Sequence, residues 1–362
     1  MLKTRFGISI IAATAACASA DVVSPSAADL SIFAGGTVSF GDRVSTSGSI
    51  GAGSRVSLGH DNTVVGDIYS TNGFSADDRV DVTGAIVSNS SISVGSESSV
   101  SGAMNAGTSV WIGAHGSYSE IIAGTSFSAD IQNSIYGSIN AGTSFWMDNG
   151  TLVTGDINYG TTYSAANSAQ VQGTIGTSPA SPSSWSSPTF PQAFTMNSGG
   201  SKVWIANGAS SQISDGAHGS FSTGANATLS FGSGSYSFDS FYAGDDTTLV
   251  FDTSGGDVVL YSSANFSTGD RVEFVTNGQG RVIVNAANGI WIGDDSQVSG
   301  TFQAINGRIS IGDGVGFDGT LTAGTDIWIG HDSAFTSTVI PAPSAMAILG
   351  ITGLVGASRR RR

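Results

Sequence analysis

Cysteine is all but missing from this chain, and Cys17, the single one, falls in an apolar N-terminal stretch. With one thiol there is no disulfide framework, and if that stretch is removed there is no thiol chemistry either. Histidine is scarce as well. His60, His115, His218 and His331 lie far apart, none pairs with another at metal-ligand spacing, and there is no Gly-x-Ser-x-Gly elbow. Charged residues make up only 11% of the 362, and the basic ones are the scarcer sign, 13 against 27 acids. Six of those 13 (Lys3, Arg5 and Arg359 to Arg362) sit at the two ends, which leaves the body with seven bases against 27 acids, a balance of −20. Such a surface repels nucleic acid and anionic polysaccharide unless cations bridge them. Strong helix formers are few, so a helical bundle is excluded; what is abundant is glycine, 51 residues of it, together with serine and threonine, a strand-and-turn chemistry.

Residues 34–175 repeat one pattern of about eighteen residues eight times. Turns begin at Ala34, Ala52, Ser70, Ser88, Ala106, Ala123, Ala141 and Tyr159, with steps of 18, 18, 18, 18, 17, 18 and 18. The second position is Gly35, Gly53, Thr71, Asn89, Gly107, Gly124, Gly142 and Gly160, which predicts a corner with positive φ. The fifth position is apolar throughout (Val38, Val56, Phe74, Ile92, Val110, Phe127, Phe145, Tyr163), and a second inward residue follows two further on, as at Phe40, Leu58, Val94, Ile112 and Met147. A period of two is a strand. An apolar-x-Gly-x-apolar step recurs at Val64 to Ile68, Val82 to Ile86, Ile135 to Ile139, Val153 to Ile157 and Val171 to Ile175. A unit this small cannot bury its own apolar face, so its neighbours must stack on it. The expected fold is all-β, a triangular β-solenoid (β-helix) of about 18-residue turns, whose eight turns span on the order of 38 Å at a strand spacing of about 4.8 Å.

The remaining organisation follows from composition. Residues 1–20 carry Lys3 and Arg5, an apolar run and Ala18-Ser19-Ala20, the form of a secretory signal peptide cleaved before Asp21; acylation at Cys17 is the alternative. Residues 21–33 lead in. Residues 176–200 hold Pro179, Pro182, Pro188 and Pro191 among serines and read as an extended linker, with Trp185, Phe190 and Phe194 apolar enough to lie against a solenoid face. Residues 201–338 return to strands with looser spacing and then to Ile290-Trp291-Ile292, Ile309-Ser310-Ile311 and Ile327-Trp328-Ile329, 19 and 18 apart. This predicts a second solenoid segment, either separate or a continuation of the first beyond the linker. Residues 339–362 hold Pro341-Ala342-Pro343-Ser344, an apolar run over 345–357, too short for a stable span, and Arg359, Arg360, Arg361 and Arg362, a basic stop that favours the cytoplasmic side.

Pro341, Ala342, Pro343, the short apolar run and the four terminal arginines resemble a PEP-CTERM sorting signal, the tail an exosortase recognises. The resemblance covers residues 341–362 and departs at Ala342, where glutamate is usual. It implies export, transient anchoring in the inner membrane through residues 345–357, and release to the cell surface or extracellular matrix; a plain membrane anchor is the alternative. The Val-x-Gly-Asp-Ile steps at Val64 to Ile68 and Val153 to Ile157 are similar to bactofilin repeats, which implies a β-helix and end-to-end association but no cytoskeletal role for an exported chain.

Five of six tryptophans share one context, flanked by apolar residues: Trp111, Trp146, Trp204, Trp291 and Trp328. If the flanks point inward the indoles point outward, and the same column elsewhere holds serine. Either the linker, the other segment or a neighbour covers them, or they form a platform on which sugar rings stack. Thr108, Thr125, Thr143 and Thr161 form a second column, with Asn105, Asn140 and Asn158 just before it; these ladders satisfy corner backbone groups or, for the threonines, match an ordered surface. Asp77-Asp78, Asp245-Asp246 and Asp294-Asp295 could bind calcium weakly at turns, but as isolated pairs they read better as solvated caps, because calcium takes about six or more oxygens. No catalytic, cofactor-binding or metal-ligating set is expected. The composition favours an exported structural or adhesive solenoid whose partners are the sorting enzyme, extracellular polysaccharide and other envelope proteins, with no nucleic acid; a sugar-binding module and a β-helix polysaccharide-degrading enzyme are the alternatives.

Overall fold

The computed structural model describes residues 25–189 and 199–337. The expected signal peptide, the expected sorting tail and linker residues Phe190 and Phe194 lie outside the described residues. Apart from one 3-10 turn, Ala27–Asp29, the described elements are short parallel strands stacked rung upon rung into a β-solenoid.

Each turn has three sides. In the second turn they are Ile50–Ala52, Arg55–Leu58 and Thr63–Val65, and the residues that alternate inward are buried: Ile50, Ala52, Val56, Leu58 and Val64. Repeated up the stack, these positions form a single core of Val, Ile, Leu and Phe side chains. Full burial of one such side chain is worth about 1.5–3 kcal/mol. Like stacks on like, as where Phe127, Phe145 and Tyr163 lie ring on ring with centroids 5.3 Å apart.

The glycine column has a different cause from the one its sequence suggests. Gly35, Gly53, Gly107, Gly124, Gly142 and Gly160 are not among the residues with φ in the left-handed region. Instead a Cβ at Gly142 would stand 2.0 Å from the carbonyl oxygen of Gly124 one rung away, and one at Gly53 would stand 2.2 Å from that of Gly35. Glycine is selected here by the close approach of successive corners. Positive φ belongs to the next corner, three residues beyond the strand start's second inward residue. There Arg43, Asp61, Arg79, Glu97, His115 and Gln132 all adopt φ between 57° and 62°. Each is held by the stack, its backbone N–H donating to the next turn, as Arg79 does to the Ser96 carbonyl at 2.9 Å.

The order of the turns is not the order of the chain. The first segment climbs from Val38–Phe40 to Thr162–Ala165, but the second does not resume there. It begins at the opposite end with Val203–Ile205 and climbs towards the first turn, so that its last strand, Ile327–Ile329, pairs in register with Val38, Ser39 and Phe40. The other sides join the same way, Leu321 to Ile32 and Ala334 to Ser45. The result is one sheet of fifteen strands on this side, a rod on the order of 70 Å long at a rung spacing of about 4.8 Å. The second segment thus continues the same stack, but from the first turn rather than from the eighth. Steps of 18, 20, 25, 24, 19 and 18 between Val203, Phe221, Phe241, Phe266, Ile290, Ile309 and Ile327 explain the looser spacing, because Thr248–Thr253, Val258–Ser262, Glu273–Gly278 and Val282–Ala286 lengthen the other two sides.

The returning strand is a strap. Its N–H groups at Ala180, Ser183 and Trp185 donate to the side-chain oxygens of Asn140, Asn105 and Asn89, at 3.2, 3.0 and 2.7 Å. Trp185 closes a satellite core with Leu30, Phe33, Tyr69 and Val87. Asn105 and Asn140 thus serve the strap rather than the corners, and Asn158 donates its side-chain N–H to Asn140 Oδ1 at 3.2 Å. The threonine ladder does serve the corners, since the Thr143 and Thr161 hydroxyls donate to the carbonyls of Thr125 and Thr143.

Candidate binding face

The side that carries the fifteen-strand sheet presents one outward residue per rung between two inward ones, which are buried on every rung but the two at the ends. From the lower end these residues are Trp204, Ser222, Tyr242, Ser267, Trp291, Ser310 and Trp328, followed across the joint by Ser39, Ser57, Ser75 and Ser93, and then by Trp111, Ser128, Trp146 and Ser164. All five tryptophans named from the sequence fall in this single column. The fold adds Tyr242, which the sequence hides because a phenol stands in place of the indole and the spacing is irregular there; its one signal is the apolar-flanked context Phe241-Tyr242-Ala243.

The aromatics occupy every second rung. Trp204, Tyr242, Trp291 and Trp328 form a lower run of four, spaced about 9.6 Å apart by two rungs each. Trp111 and Trp146 form an upper pair with the same interval, five rungs beyond Trp328. Five of the six rings are exposed, Trp204 at 61% and Trp328 at 43% among them, and Trp291 is half-buried, while the inward neighbours Ile327 and Ile329 are buried. Among the described residues neither the strap nor the second segment lies over them, since the strap runs along the asparagine side. The guanidinium of Arg308 stands 5.9 Å from the Trp291 ring and steadies one rung of the run.

A row of carboxylates borders the column where the strands turn into the next corner. Asp245, Asp270, Asp294 and Asp313 each accept the backbone N–H of the following rung through one oxygen, at 3.1, 3.0, 2.9 and 2.7 Å. His331 continues the row, its Nδ1 accepting from Asp42 N–H at 2.8 Å. Four of the basic side chains are spent on ion pairs, three of them in the corner beside this row. Arg43 binds Asp332 and Arg79 binds Asp61 at 2.6 Å, Arg271 binds Asp246 at 2.7 Å, and Arg281 binds Asp257 at 2.8 Å. The guanidinium hydrogen bonds hold Asp61, Asp246, Asp257 and Asp332 below the usual carboxylate range.

Elsewhere the strands Gln297–Ala304 and Gly316–Ala323 bend at Gly300 and Gly319 and leave two shallow grooves of about 340 and 460 Å³. Asp318 is the one carboxylate lining either. His60, His115 and His331 sit in corners, His218 stacks on Phe238, and among the described residues no group of three or more histidine, cysteine or acidic side chains is placed to hold a metal ion. No described helix is long and apolar enough to cross a membrane.

No family model matches the chain, and no curated protein matches it. Among solved structures, a crystal structure of an ice binding protein from an Antarctic bacterium, Flavobacteriaceae, is similar over 86% of this chain and 97% of its own, at 10% identity and a TM-score of 0.28. A likeness at that score carries nothing further about this chain.

Proposed function

We propose that this chain is a non-catalytic structural and adhesive β-solenoid, exported and sorted to the cell surface or extracellular matrix. One observation supports the reading above the rest: a long side whose outward residues are serine interrupted only by aromatics, five of the six of them exposed, which suits contact with a partner along its length. A catalytic reading finds little to work with, because four of the seven body bases are taken up in corner ion pairs. The N-terminal leader and the Pro341-Ala342-Pro343 tail with its four arginines supply the route, through an exosortase-type enzyme and a brief membrane stage at residues 345–357.

The test is cellular. With Arg359 to Arg362 replaced by serine, the protein is expected to remain cell-associated and unprocessed, while the parent chain reaches the surface or the medium and is labelled by a membrane-impermeant reagent. Identical distribution and processing of the two would sink the sorting proposal. A second reading, a sugar-binding module, is favoured by the regular interval of the aromatics.

A further inference from the structure

We infer that the lower aromatic run, Trp204, Tyr242, Trp291 and Trp328, is a docking strip for a neutral, extended, β-1,4-linked polysaccharide; this deepens the adhesive reading above by naming what the face adheres to. The first argument is the interval. A β-1,4-linked chain of pyranose rings in its extended two-fold form restores its orientation at every second sugar. The advance per disaccharide is close to the two-rung spacing of about 9.6 Å set by the parallel ladder. Each aromatic then meets a sugar in the same orientation, and the sugar between them lies over Ser222, Ser267 or Ser310. An α-1,4-linked chain coils and cannot keep that register.

The second argument is chemistry. The apolar C–H face of a pyranose stacks on an indole or phenol ring, which offers a large amphipathic surface at little conformational cost. The serines leave room for ring substituents and offer a hydroxyl to each intervening sugar. Along one border, Asp245, Asp270, Asp294 and Asp313 have one oxygen committed to the backbone of the next rung, which fixes the carboxylate and leaves the other oxygen to accept from a sugar hydroxyl. The same row repels uronic and sulfated chains, so the ligand is neutral.

The third argument is preorganisation. The aromatic backbones are fixed by strand pairing, and the residues flanking the upper three are buried, with Phe241, Ile290 and Ile327 no more than 1% exposed, so little ordering remains to oppose binding. The upper pair plays a lesser part. Trp111 stands an odd five rungs above Trp328, half a disaccharide out of phase, so a chain in register below meets Trp111 and Trp146 through its alternate sugars.

The purified full-length chain is tested for retention on microcrystalline cellulose and on chitin, with starch granules and alginate as controls, and is titrated with cellohexaose and chitohexaose by tryptophan emission. Retention on cellulose, chitin or both is expected, with none on starch or alginate, and the two probes separate a glucan from an N-acetylglucosamine polymer. Trp291→Ser with Trp328→Ser installs the residue native to this column and is expected to weaken binding at least about tenfold, as the loss of two stacked rings implies. Trp111→Ser with Trp146→Ser is expected to cost less. No retention on either β-1,4 polymer, equal retention on starch, or binding unchanged in the lower double variant would overturn the inference. Surface delivery and processing report on the adhesive, sorted solenoid without any sugar, so each idea fails on its own readout.

Discussion

Gly142 and His115 occupy different corners of the turn, and the physical demand at each is the opposite of what residue type suggests. Gly142 has ordinary φ and no room; His115 has φ of 62° and a side chain. Gly142→Ala places a methyl against the Gly124 carbonyl and forces two rungs apart, so urea unfolding should show a loss of about 2–3 kcal/mol, the range of core overpacking. His115→Gly relieves a left-handed residue while its N–H keeps the Ile131 carbonyl at 3.0 Å. A gain of about 0.5–1 kcal/mol is expected, because the relief exceeds the added chain entropy of glycine. The sequence made the glycine column plain but not its cause, since close approach and positive φ select the same residue. It hid the left-handed corner altogether, because Arg, Asp, Glu, His, Gln and Asn all stand there and backbone hydrogen bonding between rungs, not side-chain identity, holds the conformation.

Among the elements, the three-sided turn was legible because the inward residues repeat every eighteen positions, and the strap was half legible. Trp185 is too apolar for a solvated tether, but the asparagines that hold it look like corner groups. Their spacing is that of the turn, and nothing in the sequence says which backbone lies beside them. Truncating Trp185→Ala should empty the satellite core at a cost of about 3 kcal/mol. Because the strap lies outside the main core, the loss should be local. Burial, and after it the Asp67 carboxylate, raises the Tyr69 phenol well above its ordinary value; in the variant an absorbance titration should show it ionising closer to normal, and residues 177–189 should become open to proteolysis. An unchanged Tyr69 titration would mean that Trp185 does not cover it. The column of outward aromatics was legible residue by residue but not as a ladder. Its two-rung interval spans turns of 18 to 25 residues and appears only once the strands are paired.

For the whole molecule, the ion-paired carboxylates set the response to acid. Asp61, Asp246, Asp257 and Asp332 have folded-state values below their ordinary ones, so the stability they add is present above the ordinary carboxylate range and is lost as pH falls through the lowered values. Melting temperature should therefore hold from about pH 8 to 5 and decline below about pH 4. The pairs are exposed, so the decline should be shallow and should weaken in high salt. What no sequence pattern revealed at this scale is the joint, for a turn that stacks on a distant part of the chain looks like one that stacks on its neighbour. Yet the joint puts the two sets of tryptophans on one rod. It is tested by cysteine pairs in a Cys17→Ser background. Ser39→Cys with Trp328→Cys places thiols on adjacent rungs, about 4.8 Å apart and within disulfide reach, whereas Ser164→Cys with Trp204→Cys places them at opposite ends. Mild oxidation should cross-link the first pair within one molecule and leave the second free. Ready intramolecular cross-linking of the second pair, with the first unreacted, would show the second segment stacked above the eighth turn and would contradict both the rod and the ladder built on it.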